Sequence, residues 1–288
     1  MTNKSFDVST LASGLKLGDD GIWYAADQEA VSYPSKGNDQ CFEIEDNSFW
    51  FQHRNACIVE LVKRFPPRGN GPIFDVGGGN GFVAKGLMDS GWGVVLVEPG
   101  PAGARNAKAR GLQNVVCATT QAGAFKEGSM PAIGVFDVVE HIEDDLGFLR
   151  HLHDLLEPGG MLYLTVPAYN FLWSDEDVYA DHYRRYSFRN LHELCSKTEF
   201  DVKLLTGIFQ WLIAPVFCFR ALPYRLLGKS KKKIGDLRVT KSDHTLPPWL
   251  EALANASQAR ELHGISQSRS LSFGASLLLV ARKPLQGI

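Results

Sequence analysis

Residues Ile73-Phe74-Asp75-Val76-Gly77-Gly78-Gly79-Asn80-Gly81 constrain this chain more than any other stretch. An apolar run ends in an acid and breaks into glycines at alternate positions. A helical pattern resumes at once with Phe82-Val83-Ala84-Lys85-Gly86-Leu87-Met88. That is strand, tight turn, helix, with backbone able to approach a bound nucleotide because no Cβ intervenes. A second apolar run, Val94-Val95-Leu96-Val97, ends in Glu98. A carboxylate at the tip of a neighbouring strand can accept both ribose hydroxyls of a nucleoside over the first.

Glycine spacing separates two cofactor classes. A dinucleotide fingerprint needs G-x-G-x-x-G or A, but counting from Gly77 the third position is the bulky Phe82. The pattern present is acid-x-G-x-G-x-G, formed by Asp75, Gly77, Gly79 and Gly81, with Gly78 between them. It resembles motif I of the class I S-adenosylmethionine (SAM) methyltransferases. Phe136-Asp137-Val138-Val139-Glu140-His141-Ile142 and Leu155-Leu156-Glu157-Pro158-Gly159-Gly160-Met161-Leu162 resemble two further motifs of ubiquinone-pathway and related small-molecule methyltransferases. The likeness spans about residues 49–209 and 272–283. A nicotinamide-dependent oxidoreductase is the disfavoured alternative. A non-catalytic SAM-binding protein is the other, because motif I reports binding and not turnover.

The resemblance implies an α/β, Rossmann-like, doubly wound seven-stranded sheet whose last strand is antiparallel. SAM would lie over the carboxyl ends of strands one, two and four, with S-adenosylhomocysteine as product. It places Asp75 near the methionine ammonium, Arg54 toward the methionine carboxylate, and Gly77, Gly78, Gly79, Gly81, Glu98, Pro99, Phe136 and Asp137 around the cofactor. Relatives commonly carry an acid after strand three to hold the adenine amine. Here the run is Cys117-Ala118-Thr119-Thr120, so backbone groups or Thr119 must substitute. Relatives also carry an acid-x-x-Glu-His run associated with a divalent metal, matched by Asp137, Glu140 and His141.

The coarse pattern alternates as an α/β core requires. Residues 1–45 read as irregular, followed by a helix over 48–65. Strands are expected at 73–76, 94–98, 114–117, 132–136, 161–166, 200–205 and 275–281, with helices at 102–110, 144–156 and 190–197. This gives an N-terminal segment and capping helix (1–65), a cofactor core (66–207), a lid or interfacial insertion between the last two strands (208–271), and a final strand with its tail (272–288). With 288 residues, 44% hydrophobic, the chain can bury one large core. A net charge of −2 supplies no global field for nucleic acid. Five scattered cysteines, never in C-x-x-C spacing, read as reduced intracellular thiols. Met1 to Asp20 lacks the basic flank and apolar core of a signal peptide, so a cytoplasmic location is expected.

A sulfonium methyl is already activated, so catalysis is mainly alignment of an incoming lone pair. A hydroxyl acceptor also needs its proton removed, which suits an imidazole. His141 is the candidate base, assisted by Asp137; a histidine that only orients its loop is the competing reading. Asp137, Glu140 and His141 share one face of a helical turn and could hold a divalent metal, or the acids could serve as caps. His182, Arg184, Arg185 and Tyr186 follow strand five, where such folds place substrates; the arginines either clamp an anion or pair with the acids of 175–181. Residues 204–219 are largely apolar, and Arg225, Lys229, Lys231, Lys232, Lys233, Arg238 and Lys241 follow. Sixteen residues are too few to span a bilayer. The segment 204–241 is therefore either a buried cap or an interfacial contact for a lipid-linked acceptor. The acceptor is expected to be a small or lipid-linked molecule methylated at oxygen.

Overall fold

The computed structural model describes residues 6–26, 42–227 and 248–285. Nine strands form one sheet: β1 (Leu15–Leu17), β2 (Trp23–Ala25), β3 (Ile73–Val76), β4 (Val94–Val97), β5 (Val115–Cys117), β6 (Met130–Phe136), β7 (Leu156–Pro167), β8 (Asp201–Ile208) and β9 (Ser276–Arg282). Their spatial order is β1-β2-β5-β4-β3-β6-β7-β9-β8. The strands β3 to β6 pair in parallel, as do β6 and β7, whereas β9 runs antiparallel to both neighbours. The chain order reverses between β3, which continues through β4 to β5, and β6, which continues to β7. Doubly wound sheets bind ligands at that switch point, beyond the carboxyl ends of the strands.

Seven of these strands are the expected ones, and the last is antiparallel as expected. The other two correct the sequence reading, which left residues 1–45 irregular. β1 and β2 form a hairpin whose second strand adds in parallel to the edge of β5, with Trp23 opposite Val116 and Tyr24 opposite Cys117. Three-residue strands are too short to show a period of two, and their extended form depends on the edge they pair with. β7 also begins earlier than expected, at Leu156, because Met130 of β6 pairs there before the register shifts.

The central strands are buried on both faces, so they read as unbroken apolar runs rather than alternating ones. Phe74, Val95, Ile133, Leu162 and Leu279 pack toward one helical layer. Ile73, Leu96, Tyr163 and Leu278 pack toward the other, against Ile58 and Leu61. Those last two lie on α1 (Phe49–Arg64), capped by Ser48, whose hydroxyl accepts from the Phe51 N–H at 3.4 Å. α2 (Phe82–Asp89), α3 (Pro101–Ala109) and α4 (Asp145–Leu155) complete the crossovers, and α5 (Asp175–Tyr179) and α6 (Phe188–Lys197) follow β7.

Between β8 and β9 lies the insertion, of which residues 228–247 are outside the described residues. Short helical turns run from Gln210 to Leu227, including a π-helical stretch over Phe217–Ala221, and α7 (Pro248–Ser266) packs on α1. Leu204 and Phe209, expected as the start of an apolar insertion, are buried in the sheet and at its exit. No helix among the described residues is long and apolar enough to cross a membrane. The basic run from Lys229 to Lys241 falls outside the described residues.

Candidate functional site

The site is built at the carboxyl ends of β3, β4, β6 and β7. After β3 the chain turns through Gly77, Gly79 and Gly81, all at positive φ. At Gly81, the N-cap of α2, φ is +77° and a Cβ would lie 2.6 Å from Leu112 Cδ1 and 2.9 Å from Ala107 Cβ. Only glycine fits the conformation and the space. At Gly79 the backbone is also left-handed, but nothing lies within 4 Å of the Cβ position, so this residue faces open space. Its N–H donates to Glu98 Oε2 at 2.9 Å, and the Gly100 N–H beyond Pro99 donates to Oε1 at 2.7 Å. Glu98 thus ties the tip of β4 to the glycine loop. Burial pushes its carboxyl pKa up, against those two hydrogen bonds.

Asp75 is 1% exposed, its Oδ2 has no hydrogen-bond partner, and burial raises its pKa to about 7; Arg54 opposes the shift and Glu98 adds to it. A buried carboxylate with an unpaired oxygen favours an incoming cation. If the SAM ammonium lies beside Asp75, binding needs the ionised form. Below pH 7 binding must then release a proton. SAM affinity is expected to rise by up to about tenfold per pH unit between roughly pH 5 and 7 and level off above, and Asp75→Asn should flatten that dependence. In the free protein the sign is the reverse. A folded-state pKa above the ordinary carboxylate value means the native state holds more protons, so this group's contribution to stability is lost as pH rises through about 7. Calorimetry of SAM binding across that range measures it; an affinity independent of pH in the parent would remove Asp75 from the ammonium.

Arg54 projects from α1 over the Trp50 ring, 4.6 Å from its centroid, and ion-pairs with Asp137. Asp137 follows Phe136, the last and buried residue of β6, at φ +57°. Its N–H donates to Thr165 O, and its Oδ1 accepts from Thr165 Oγ1 at 2.9 Å. A non-glycine residue at positive φ costs energy and persists where its surroundings demand it. Here two side-chain partners on α1 and β7 do so. Thr119, the candidate for adenine, sits in the turn after β5 with its hydroxyl accepting from the Ala122 N–H at 3.0 Å.

Glu140 and His141 lie in one 3-10 turn beyond Asp137. Glu140 is fully buried, neither of its carboxylate oxygens accepts a hydrogen bond from another residue, and burial lifts its pKa to about 8. The His141 ring packs edge-on against His182 with centroids 4.7 Å apart. Burial, and then the neighbouring His182, lower its pKa to about 4, so it stays neutral. One ligand atom from each of Glu140, His141 and His182 lies within 4.8 Å of the others. The expected trio was Asp137, Glu140 and His141. The structure commits Asp137 to Arg54 and Thr165, and His182 takes the third place. A buried carboxyl group that accepts no hydrogen bond from another residue and two imidazoles fit the donor set of a divalent cation.

His182 is held from behind. Its Nδ1 lies 2.9 Å from Asp177 Oδ1, and Asp177 is 1% exposed. Since the carboxylate can only accept, Nδ1 carries the proton, and it is Nε2 that bears the lone pair in the unprotonated ring. Arg185 grips the same carboxylate in a two-pronged pair, Nε to Oδ1 at 2.7 Å and Nη2 to Oδ2 at 2.9 Å, and the Ser174 N–H adds a third donor. Burial would raise the Asp177 pKa, but His182, Arg185 and Ser174 together hold it below the ordinary value. Arg184 pairs instead with Asp145 at 2.8 Å, and Tyr186, 3% exposed, donates to the same Asp145 at 2.8 Å. Of the four expected substrate residues, the two arginines are therefore engaged by acids and Tyr186 is buried. His182 keeps a free ring nitrogen beside Glu140 and His141.

Sequence reasoning passed over Asp177 as an individual. Its signal was available, since Ser174-x-x-Asp177 is a capping box that the structure forms. It also missed a buried cluster linking the cap to the insertion. Glu261 of α7 is fully buried and accepts from the N–H groups of Phe209 at 2.8 Å and Gln210 at 2.9 Å. Its Oε2 also lies 2.7 Å from His53 Nε2 on α1.

A family model described as a methyltransferase domain matches residues 50–205, more than half of the chain. The chain belongs to this family of methyltransferase domains and has its class I, Rossmann-like fold. Among curated proteins it is similar to the ubiquinone biosynthesis O-methyltransferases of Xanthomonas campestris pv. campestris, with 27% identity over 99 residues. That match covers 32% of this chain and 41% of the relative, so the chain spans about two fifths of the length of the curated relatives it matches. Among solved structures it resembles a Thermotoga maritima SAM-dependent methyltransferase described as a possible histamine N-methyltransferase. The TM-score is 0.52 at 17% identity, covering 87% of this chain and 100% of that one. It also resembles the cyclase SpnF, with TM-score 0.54 at 16% identity over 83% of this chain and 84% of that one. Likeness at this identity concerns the fold alone.

Proposed function

We propose that this methyltransferase transfers the SAM methyl group to a hydroxyl of a small or lipid-linked acceptor, beside the cluster of Glu140, His141 and His182. The observation that carries the reading is the Asp177–His182 pair, which occupies Nδ1 and leaves Nε2 as the ring nitrogen open to an acceptor. An amine acceptor is nucleophilic once neutral and needs little more than alignment. A hydroxyl needs a partner for its proton. The curated relatives, which methylate oxygen by name, lend support over the portion they share.

In this reading the glycine loop, Asp75 and Glu98 hold the cofactor, and Arg54 reaches toward its carboxylate after exchanging Asp137 as partner. The acceptor oxygen lies against His182 Nε2, which takes the proton as the oxygen attacks the methyl and the sulfur leaves with its bonding pair. Asp177 stabilises the resulting imidazolium, and Arg185 keeps Asp177 from rotating away. His141, whose conjugate acid forms only near pH 4, is a weaker proton acceptor and serves as a wall and hydrogen-bond partner. Were Glu140, His141 and His182 instead to hold a divalent cation, His182 Nε2 would be a ligand rather than the base, and the cation would lower the pKa of the acceptor hydroxyl.

Cofactor assignment is tested by calorimetry with SAM, S-adenosylhomocysteine and NAD. SAM and its product should bind and NAD should not. Glu98→Ala should weaken SAM by about 1.5–3 kcal/mol, or roughly 10- to 150-fold, the range for hydrogen bonds to a charged group. Unchanged SAM affinity in a folded Glu98→Ala protein would exclude that carboxylate from the ribose. Matched hydroxyl and amine acceptors, scored by S-adenosylhomocysteine release, then test the methylated atom; turnover confined to amines would overturn the oxygen reading.

A further inference from the structure

The insertion between β8 and β9 carries an apolar surface that the catalytic core does not use. Phe219 is 80% exposed, Leu222 37%, Leu226 73% and Leu227 85%, four of the nine exposed large hydrophobic residues among those described. Phe219, Leu222 and Leu226 are spaced three and four apart on a helical run, so they share its solvent-facing side. Burying such residues in a fold would be routine, and leaving several together in water marks a contact surface.

The surface adjoins the acceptor side of the site. Phe217 packs edge-on against Phe171 with centroids 6.1 Å apart, and Arg220 ion-pairs with Glu176. Both partners belong to the segment after β7 that continues into Asp177 and His182. The insertion is therefore fastened to the elements that hold the imidazole cluster.

Charge indicates the occupant. From residue 220 to 241 the sequence has eight Lys or Arg and one acid, Asp236, a local net charge of +7. The whole chain carries −2, so the remainder carries −9. Arg220 and Arg225 stand within the apolar stretch itself, and Lys229 follows Leu227 by two residues in the sequence. Apolar side chains flanked by cations on an otherwise acidic molecule match the requirements of an anionic lipid interface, where the side chains enter the acyl boundary and the cations meet headgroups. A nucleic acid would use the cations and leave Phe219, Leu226 and Leu227 in water. A second copy of the chain would bring a matching positive charge and an acidic remainder.

We infer that Phe219, Leu222, Leu226 and Leu227 form a docking surface for an anionic membrane, presenting the site to an acceptor anchored in the lipid. The inference rests on the methyltransferase reading only for what docking is for. Flotation measures docking without turnover, so the two can fail separately.

The test is flotation of the full chain with neutral phosphatidylcholine vesicles and with vesicles containing phosphatidylglycerol, at low and high salt. Flotation is expected on the anionic vesicles at low salt. It should fall steeply with salt, because each cation near such a surface raises partitioning about fivefold and is screened within a Debye length. A variant combining Phe219→Gln, Leu226→Gln and Leu227→Gln should partition at least tenfold less while keeping the parent's melting temperature and SAM affinity, since none of the three is buried. No flotation on anionic vesicles at low salt overturns the proposal, as does undiminished flotation of the triple variant. Sedimentation of the parent as a dimer that the triple variant dissociates, without flotation, would assign the surface to a second copy instead.

Discussion

Replacing Glu261 by leucine is expected to destabilise the fold by about 3–5 kcal/mol, the cost of breaking a buried charged network from one side. The side chain is fully buried and reaches four groups at once: the Phe209 and Gln210 N–H groups, His53 Nε2 and the Ser257 hydroxyl. Leucine fills the space but accepts nothing, so two backbone donors lose their partner where water does not easily follow, at roughly 1–3 kcal/mol each. Phe209 is held at φ +59° as the chain leaves β8, a conformation that needs such support. Urea unfolding of parent and variant gives the measurement. Glu261→Gln, which keeps one acceptor oxygen, should lose less. A shift under 1 kcal/mol in Glu261→Leu would mean the insertion is not latched through this carboxylate. SAM affinity should fall along with stability, because α1 carries both His53 and Arg54, and a helix released at one residue no longer fixes the other.

That latch also marks the limit of what sequence could show. The glycine turn between β3 and α2, and Glu98 at the tip of the next strand, were legible because the unit is local. Strand, glycines and helix follow within fifteen residues, and each glycine has a backbone reason. The alternation of β3 to β7 with helices was legible for the same reason, since buried parallel strands read as apolar runs of five or so. Glu261 was not. Its partner His53 is 208 residues away, and the apolar residues of α7 do not gather on one face, so neither periodicity nor a motif singles it out. The β1–β2 hairpin failed differently, because its strands exist by pairing with β5 and carry no pattern of their own. In the region after β7 the sequence left the arginines either as an anion clamp or as partners of the acids of 175–181. Side-chain geometry pairs Arg185 with Asp177, one of those acids, and Arg184 with Asp145, which lies outside them. The acid-x-x-Glu-His run was visible as a unit, yet Arg54 and Thr165 draw Asp137 out of it and the loop after β7 brings His182 in. Only packing could supply that exchange.

His182→Ala is expected to lower turnover by roughly 10²–10⁴-fold, the usual contribution of a positioned general base, with SAM affinity nearly unchanged. The separation follows from place: in the proposed reading the cofactor is held from β3, β4 and α1, while His182 stands beyond β7. His141→Ala should cost less, because burial leaves its imidazole a poor proton acceptor. Asp177→Asn is the discriminating variant. It preserves shape but can present an amide N–H to His182 Nδ1, which reverses the tautomer and turns the Nε2 lone pair away from the acceptor. Turnover should drop by a large part of the His182→Ala effect, with KM for the acceptor little changed and the melting temperature recording the weakened Arg185 pair separately. A chelator distinguishes the two uses of the cluster. If the imidazole acts alone, a metal-free protein keeps full activity. If Glu140, His141 and His182 hold a divalent cation, chelation abolishes turnover and the parent, but not Glu140→Gln, binds the metal in calorimetry. A His182→Ala enzyme retaining near-parental turnover would remove the imidazole from the reaction in either form, leaving alignment of an already nucleophilic acceptor as the whole of catalysis.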